Sequence, residues 1–140
     1  LQDLSKPNVR LVLALPEVPA GAYARLSLGK MEASISFEDA FSRHVLANLV
    51  SEEINVRQVL AKVMLGEADA GIVYASDVTW DVAQRVRATP IPPEFNVVAL
   101  YPVAIPRAAQ QPVLAHEFIN FLVSPSAQII LASHGFQETP

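Results

Sequence analysis

The apolar positions of this chain change period along its length. Val9 to Leu15 is apolar except for Arg10, the pattern of a strand covered on both faces. Tyr23, Leu26 and Met31 then recur at roughly helical spacing, which predicts a helix from Tyr23 to about Ser34. Phe37, Phe41 and Val45 repeat every fourth residue, so a helix from Phe37 toward Leu49 follows, running into a short extended piece near Leu46 to Val50. Val56, Val59, Leu60, Val63 and Met64 form the best-defined apolar stripe, with Asn55 as a favoured N-cap and Gly66 as a natural stop. Gly71 to Ala75 reads as a second short buried strand, and Ser76-Asp77 opens a short helix over Val78 to Val86.

Pro90, Pro92 and Pro93 break the chain. Val97 to Ile105 is extended, and Pro102 within it favours an edge or crossing segment. Leu114, Phe118, Ile119 and Leu122 share one face of a helix over Pro112 to Val123. Ser124-Pro125 supplies a cap and a first-turn proline for a last helix that runs to about His134 and stops at Gly135. Strands alternating with helices imply an α/β fold, a mostly parallel sheet with helices on both faces.

Composition narrows the chemistry. The 140 residues are 51% hydrophobic and 17% charged, against about 25% charged in an average soluble domain. The formal net charge is −4, and the 10 Lys and Arg residues are scattered, so no nucleic-acid footprint is present. There is no cysteine, which removes disulfides, zinc-thiolate sites and a cysteine nucleophile. No Gly-x-Ser-x-Gly elbow, phosphate-cradling Gly-rich loop or metal-ligand spacing occurs. His44, His116 and His134 fall in helix candidates away from any nucleophile, and Glu38-Asp39 and Glu52-Glu53 read as solvated first-turn residues. The expectation is a protein that is not an enzyme and holds no cofactor or metal.

What remains is a set of strand-to-helix junctions. The turn Pro16-Glu17-Val18-Pro19-Ala20-Gly21 offers the N–H of Ala20, with Pro19 and Gly21 shaping the turn. The helix start at Asn55-Val56 offers the N–H of Val56. Tyr74 ends a strand just before Ser76-Asp77. The first amides of a helix have no partner within it and carry the positive end of its dipole. In an open α/β sheet such junctions lie along one edge, where ligands bind. Two helix-start amides and a phenol hydroxyl suit a small tetrahedral anion. Each alone also has a simpler reading, as a turn, a helix cap and a core aromatic.

Pro16-Glu17-Val18-Pro19-Ala20-Gly21-Ala22-Tyr23-Ala24, Asn55-Val56-Arg57-Gln58-Val59-Leu60, Gly66 to Asp77, Tyr101-Pro102-Val103-Ala104 and the tail from Phe118 to Phe136 together resemble the molybdate-binding proteins of ABC transporters. The resemblance implies one lobe of a two-lobed, Venus-flytrap protein that holds molybdate or tungstate in its cleft by hydrogen bonds alone. It implies that Ala20 and Val56 supply N–H groups and Tyr74 its hydroxyl, with Pro19, Gly21 and Asn55 supporting. It implies residues 1–106 as the second lobe and 107–140 as a helical segment returning toward a first lobe that nothing here matches. Ser51 to Val56 carries one residue more than the family's usual turn, and Gly29 to Asn48 matches poorly.

The expected partners are the oxyanion, the first lobe, the transporter's membrane permease and a second copy through the exposed face. The expected location is periplasmic or cell-surface, although no signal segment is visible at Leu1-Gln2-Asp3-Leu4. The alternatives are an effector domain of a regulator with the same fold and a binder of another oxyanion such as sulfate.

Overall fold

The computed structural model describes residues 1–137. Three parallel strands make the sheet in the order β2-β1-β3: β1 is Leu11–Ala14, β2 Leu49–Glu53 and β3 Ala70–Gly71. The chain leaves β1 through helix α1 (Pro19–Glu32) and helix α2 (Phe41–Ala47), enters β2, and crosses to β3 through helix α3 (Val56–Met64). A 3-10 turn at Gln2–Ser5 precedes β1. Another at Ala75–Asp77 and a short helix α4 (Trp80–Ala83) follow β3.

β1 is the centre of the sheet, and all four of its residues are buried. Their alternation builds two cores. Leu11 and Leu13 face Ala24, Leu28 and Met31 of α1 and Phe41 and Val45 of α2. Val12 and Ala14 face Ala20, Val59 of α3 and Ala68. Helices therefore cover both faces of the parallel sheet, and side chains such as Leu28 and Phe41 each contribute about 1.5–3 kcal/mol by leaving water.

Several boundaries differ from the sequence reading. α1 starts at Pro19, four residues before Tyr23, because a proline suits the first helical position, where its missing N–H is not needed. The turn is thus confined to Pro16–Val18, and Ala20 and Gly21 lie inside the helix. Glu52 and Glu53 sit on β2 and not in the first turn of a helix; each is claimed by a cation of a neighbouring helix. The pairing of β1 with β2 skips from Leu49 to Ser51 between Leu11 and Val12, leaving an exposed Val50 in a bulge. β3 pairs only through Ala70 and Gly71; Ile72 then packs on the first core, and Val73 and Tyr74 pack on the second. Val97 to Ile105 forms no ladder.

Contacts divide the chain into two compact units, Leu1–Val98 and Ala99–Pro140. The second unit contains helices α5 (Pro112–Leu122) and α6 (Pro125–Ser133), each opening on a proline. Ser124 Oγ accepts from the N–H of Ala127 at 3.4 Å, and Gln128 Nε2 donates to Leu122 O at 2.7 Å, tying the two helices at their joint. Tyr101 and Phe136 meet edge to face at 5.6 Å. An open apolar groove on α5 is lined by Gln111, Leu114, Ala115 and Phe118. Among the described residues no single helix is long and apolar enough to cross a membrane.

Candidate functional site

The three junctions singled out in the sequence follow the carboxyl ends of β1, β2 and β3 in turn. Parallel pairing puts those ends on one edge of the sheet. Ala20 is the second residue of α1 and 5% exposed. Val56 is the first residue of α3 and half-buried. Tyr74, also half-buried, caps the 3-10 turn at Ala75–Asp77. Ala20 belongs to the second core, and Val56 and Tyr74 pack against it together with Val18. One small apolar cluster thus gathers all three residues.

Each junction is shaped by local chemistry. In α1 the first helical bond runs from Ala22 N–H to Val18 O at 3.0 Å, so no carbonyl of the helix reaches the N–H groups of Ala20 and Gly21. Pro19 is exposed on the outside of this turn, whereas Gly21 is buried against the end of β1. In α3 Asn55 Oδ1 accepts from Gln58 N–H at 3.0 Å, which leaves the first-turn amides of Val56 and Arg57 without a partner within the helix. At the third junction Tyr74 N–H donates to Asp77 Oδ2 at 3.1 Å, and Asp77 N–H donates back to Tyr74 O at 3.1 Å. Burial raises the pKa of Asp77, against the lowering effects of the Tyr74 N–H and the charge of Arg57.

Two ion pairs brace this edge, and neither was read from the sequence. Arg25 of α1 donates through Nη1 to Ala14 O at 3.0 Å and to Gly21 O at 2.9 Å, while its Nη2 meets Glu52 Oε1 of β2. Lys62 of α3 donates to Ser51 Oγ and pairs with Glu53, both at 2.7 Å. Ser51 Oγ also donates to Glu53 Oε1 at 2.5 Å. The Lys62 and Ser51 hydrogen bonds hold the Glu53 carboxyl below its ordinary pKa. The only sequence signal for the Arg25 contact was its place one helical turn after Gly21, and Glu52 gave none.

No group of three His, Asp or Glu side chains positioned for a metal ion occurs among the described residues. In the first unit His44 Nδ1 contacts Glu38 Oε1 at 3.1 Å, and within the second unit His134 Nδ1 contacts Ile130 O at 2.9 Å.

Residues 1–137 match the model of the bacterial extracellular solute-binding protein family. The chain belongs to that family. It is 37% identical over 134 residues to the molybdate-binding protein ModA of Mycobacterium tuberculosis, covering 96% of this chain and 46% of that protein. It is 31% identical over 133 residues to a putative ABC transporter substrate-binding lipoprotein of Bacillus subtilis, covering 91% of this chain and 45% of the relative. The chain therefore spans about half the length of the curated relatives it matches. Among solved structures, the substrate-binding domain of a putative molybdenum ABC transporter from Clostridium difficile superposes with a TM-score of 0.77 at 27% identity, over 100% of this chain and 58% of that one. A phospholactate-bound PEB3 structure reaches 0.74 at 17% identity, a likeness of fold alone. The α/β fold of this family member is the one expected from its alternating strands and helices.

Proposed function

We propose that this chain forms one wall of a site that captures a tetrahedral oxyanion for an ABC importer, with molybdate the first candidate and tungstate of the same class. The observation that carries the reading is the convergence of Ala20, Val56 and Tyr74 on one apolar cluster at the carboxyl edge of the sheet. Family membership and the names of the relatives supply the ligand class. In this reading Ala20 and Val56 donate backbone N–H and Tyr74 donates its hydroxyl, while Pro19, Gly21 and Asn55 set the turns. The donors are neutral, so the anion is held by dipoles aimed at it. Sulfate has the same charge and shape with shorter bonds, so size sets the preference.

The reading places the rest of the ligand's shell in chain beyond these 140 residues, the first lobe of a two-lobed binder. It also makes the membrane permease the partner and puts the protein outside the cytoplasmic membrane. The family description and the lipoprotein relative support that location. Exposed Val113, Leu114 and Phe118 on α5 form an apolar surface that a second copy would cover when the chain stands alone. Hydrogen bonds to a charged ligand are worth about 1.5–3 kcal/mol each, so one wall alone binds at least about a hundredfold more weakly than two.

A titration panel of molybdate, tungstate and sulfate, followed by amide NMR, tests the proposal. The expected result is movement of the Ala20 and Val56 amides, largest with molybdate or tungstate. Equal responses to sulfate, or movement elsewhere only, would overturn it.

A further inference from the structure

Arg25 occupies an unusual position at the edge that holds these junctions. Its guanidinium is largely buried, with 23% of the side chain exposed, and it bonds three elements at once. One nitrogen, Nη1, takes the carbonyl of Ala14, the last residue of β1, together with the carbonyl of Gly21 in the first turn of α1. The other, Nη2, takes the carboxylate of Glu52 on β2. The planar fork of arginine makes this possible; a lysine ammonium is a point charge without that fixed geometry.

Three consequences follow from these contacts. The clamp fixes the first turn of α1 against the strand it leaves, and Ala20 and Gly21 are the residues of that turn whose N–H groups no helix carbonyl reaches. It also covers the Ala14 carbonyl, whose negative end would otherwise repel an anion at the carboxyl edge of β1. Finally, Glu52 pairs with the guanidinium, so Arg25 itself offers an anion no unpaired charge.

We propose that Arg25 is a positioning residue for the anion site and that Glu52 is its neutralising partner. Arg25 holds the Ala20 and Gly21 amides in their binding geometry, and Glu52 keeps the Arg25 charge from capturing anions by itself. The inference rests on the oxyanion reading of the edge, and it has one arm that does not need the ligand.

The ligand-free arm compares backbone order parameters and amide shifts in the 140-residue chain and in Arg25→Gln. The substitution is expected to move the Ala20 and Gly21 resonances and lower their order parameters from about 0.85 toward 0.6, while Val59 and Leu60 of α3 stay as they were. Unchanged Ala20 and Gly21 overturn the clamp, whatever the ligand does. Uniform change across α3 as well overturns it too, because that is plain loss of fold.

The ligand arm titrates sodium molybdate and sodium sulfate. Arg25→Gln is expected to weaken molybdate about tenfold, and Arg25→Lys to recover part of that. Glu52→Gln is expected to tighten sulfate several-fold at low salt, with the gain lost above about 0.5 M salt as screening shortens. Equal molybdate affinity in wild type and Arg25→Gln overturns the positioning role. A wild-type chain whose Ala20 and Val56 amides ignore molybdate overturns the oxyanion reading itself and leaves the clamp to be judged on the ligand-free comparison.

Discussion

Gly21 and Leu15 meet where β1 hands over to α1: a Cβ added at Gly21 would stand 2.1 Å from the Leu15 carbonyl oxygen and 2.3 Å from that of Ala14. No real Cβ approaches backbone oxygen so closely, and neither atom belongs to a flexible side-chain end. The contact seats the first turn of α1 directly on the strand. Gly21→Ala is therefore expected to push helix and strand apart and cost about 1–3 kcal/mol of stability, measured by urea unfolding. A change below about 0.5 kcal/mol would show that the junction is looser than this.

A second close approach couples two strands to α3. A Cβ at Gly71 would lie 2.8 Å from Val59 Cγ1, 3.2 Å from Val12 O and 3.3 Å from Val63 Cγ2. Gly71→Ala and Val59→Ala are each expected to destabilise, the first by crowding and the second by leaving a cavity. Together they should cost less than their sum by about 0.5 kcal/mol or more, because removal of Cγ1 makes room for the new methyl. Strict additivity in a double-mutant cycle would contradict the contact.

Asn55 separates capping from charge. Its side chain satisfies the Gln58 N–H at 3.0 Å, so Asn55→Ala should cost about 1 kcal/mol. Asn55→Asp keeps the acceptor and should leave stability nearly unchanged. If the adjacent Val56 amide receives an oxyanion, the new carboxylate should weaken molybdate binding at low salt. Intact affinity in Asn55→Asp would argue against a ligand there.

The pH dependence of the fold is expected to have two opposed components. Asp69 accepts from Arg10 N–H at 2.8 Å, from Nη2 at 2.7 Å and from Nε at 3.1 Å, and these bonds lower its pKa from 3.8 to about 2. A carboxyl lowered on folding stabilises above its unfolded value, and that contribution is lost as pH falls from about 4 through 2. Asp77 has the opposite sign. Burial raises its folded pKa, so the folded state binds the proton more readily and stability falls as pH rises from the unfolded value through the folded one. Asp69→Asn should flatten the acid limb below pH 4, and Asp77→Asn should raise stability at pH 7 relative to its effect at pH 4. Carboxyl titration by NMR checks both directions.

The α3 region was the most legible part of the chain. Asn55, the apolar stripe and Gly66 predicted a helix that the structure bounds at Val56 and Met64, with Gly66 at a positive φ of 74°. Here the local signals all agree, and no distant contact is needed to set the ends. β2 was far less legible. Only Val50 of its centre is strongly apolar, and it is exposed at a bulge, while Ser51, Glu52 and Glu53 carry polar side chains that read as loop or helix start. Those polar groups are tolerated because Arg25 and Lys62 arrive from helices 27 and 9 positions away in sequence: 52 − 25 and 62 − 53. Pairing across such separations leaves no periodic trace.

The same division holds for the candidate site. By itself the sequence determined most of the helices, the α/β class and the local identity of each junction, because turn and cap chemistry at Pro19, Gly21 and Asn55 acts over a few residues. Only the tertiary structure decided that Ala20, Val56 and Tyr74 share one apolar cluster, and that Arg25 and Glu52 meet beside them. The reason is physical: parallel strands in the order β2-β1-β3 bring distant carboxyl ends to one edge, and such non-local pairing is fixed by packing of the two cores on β1 and not by any local preference.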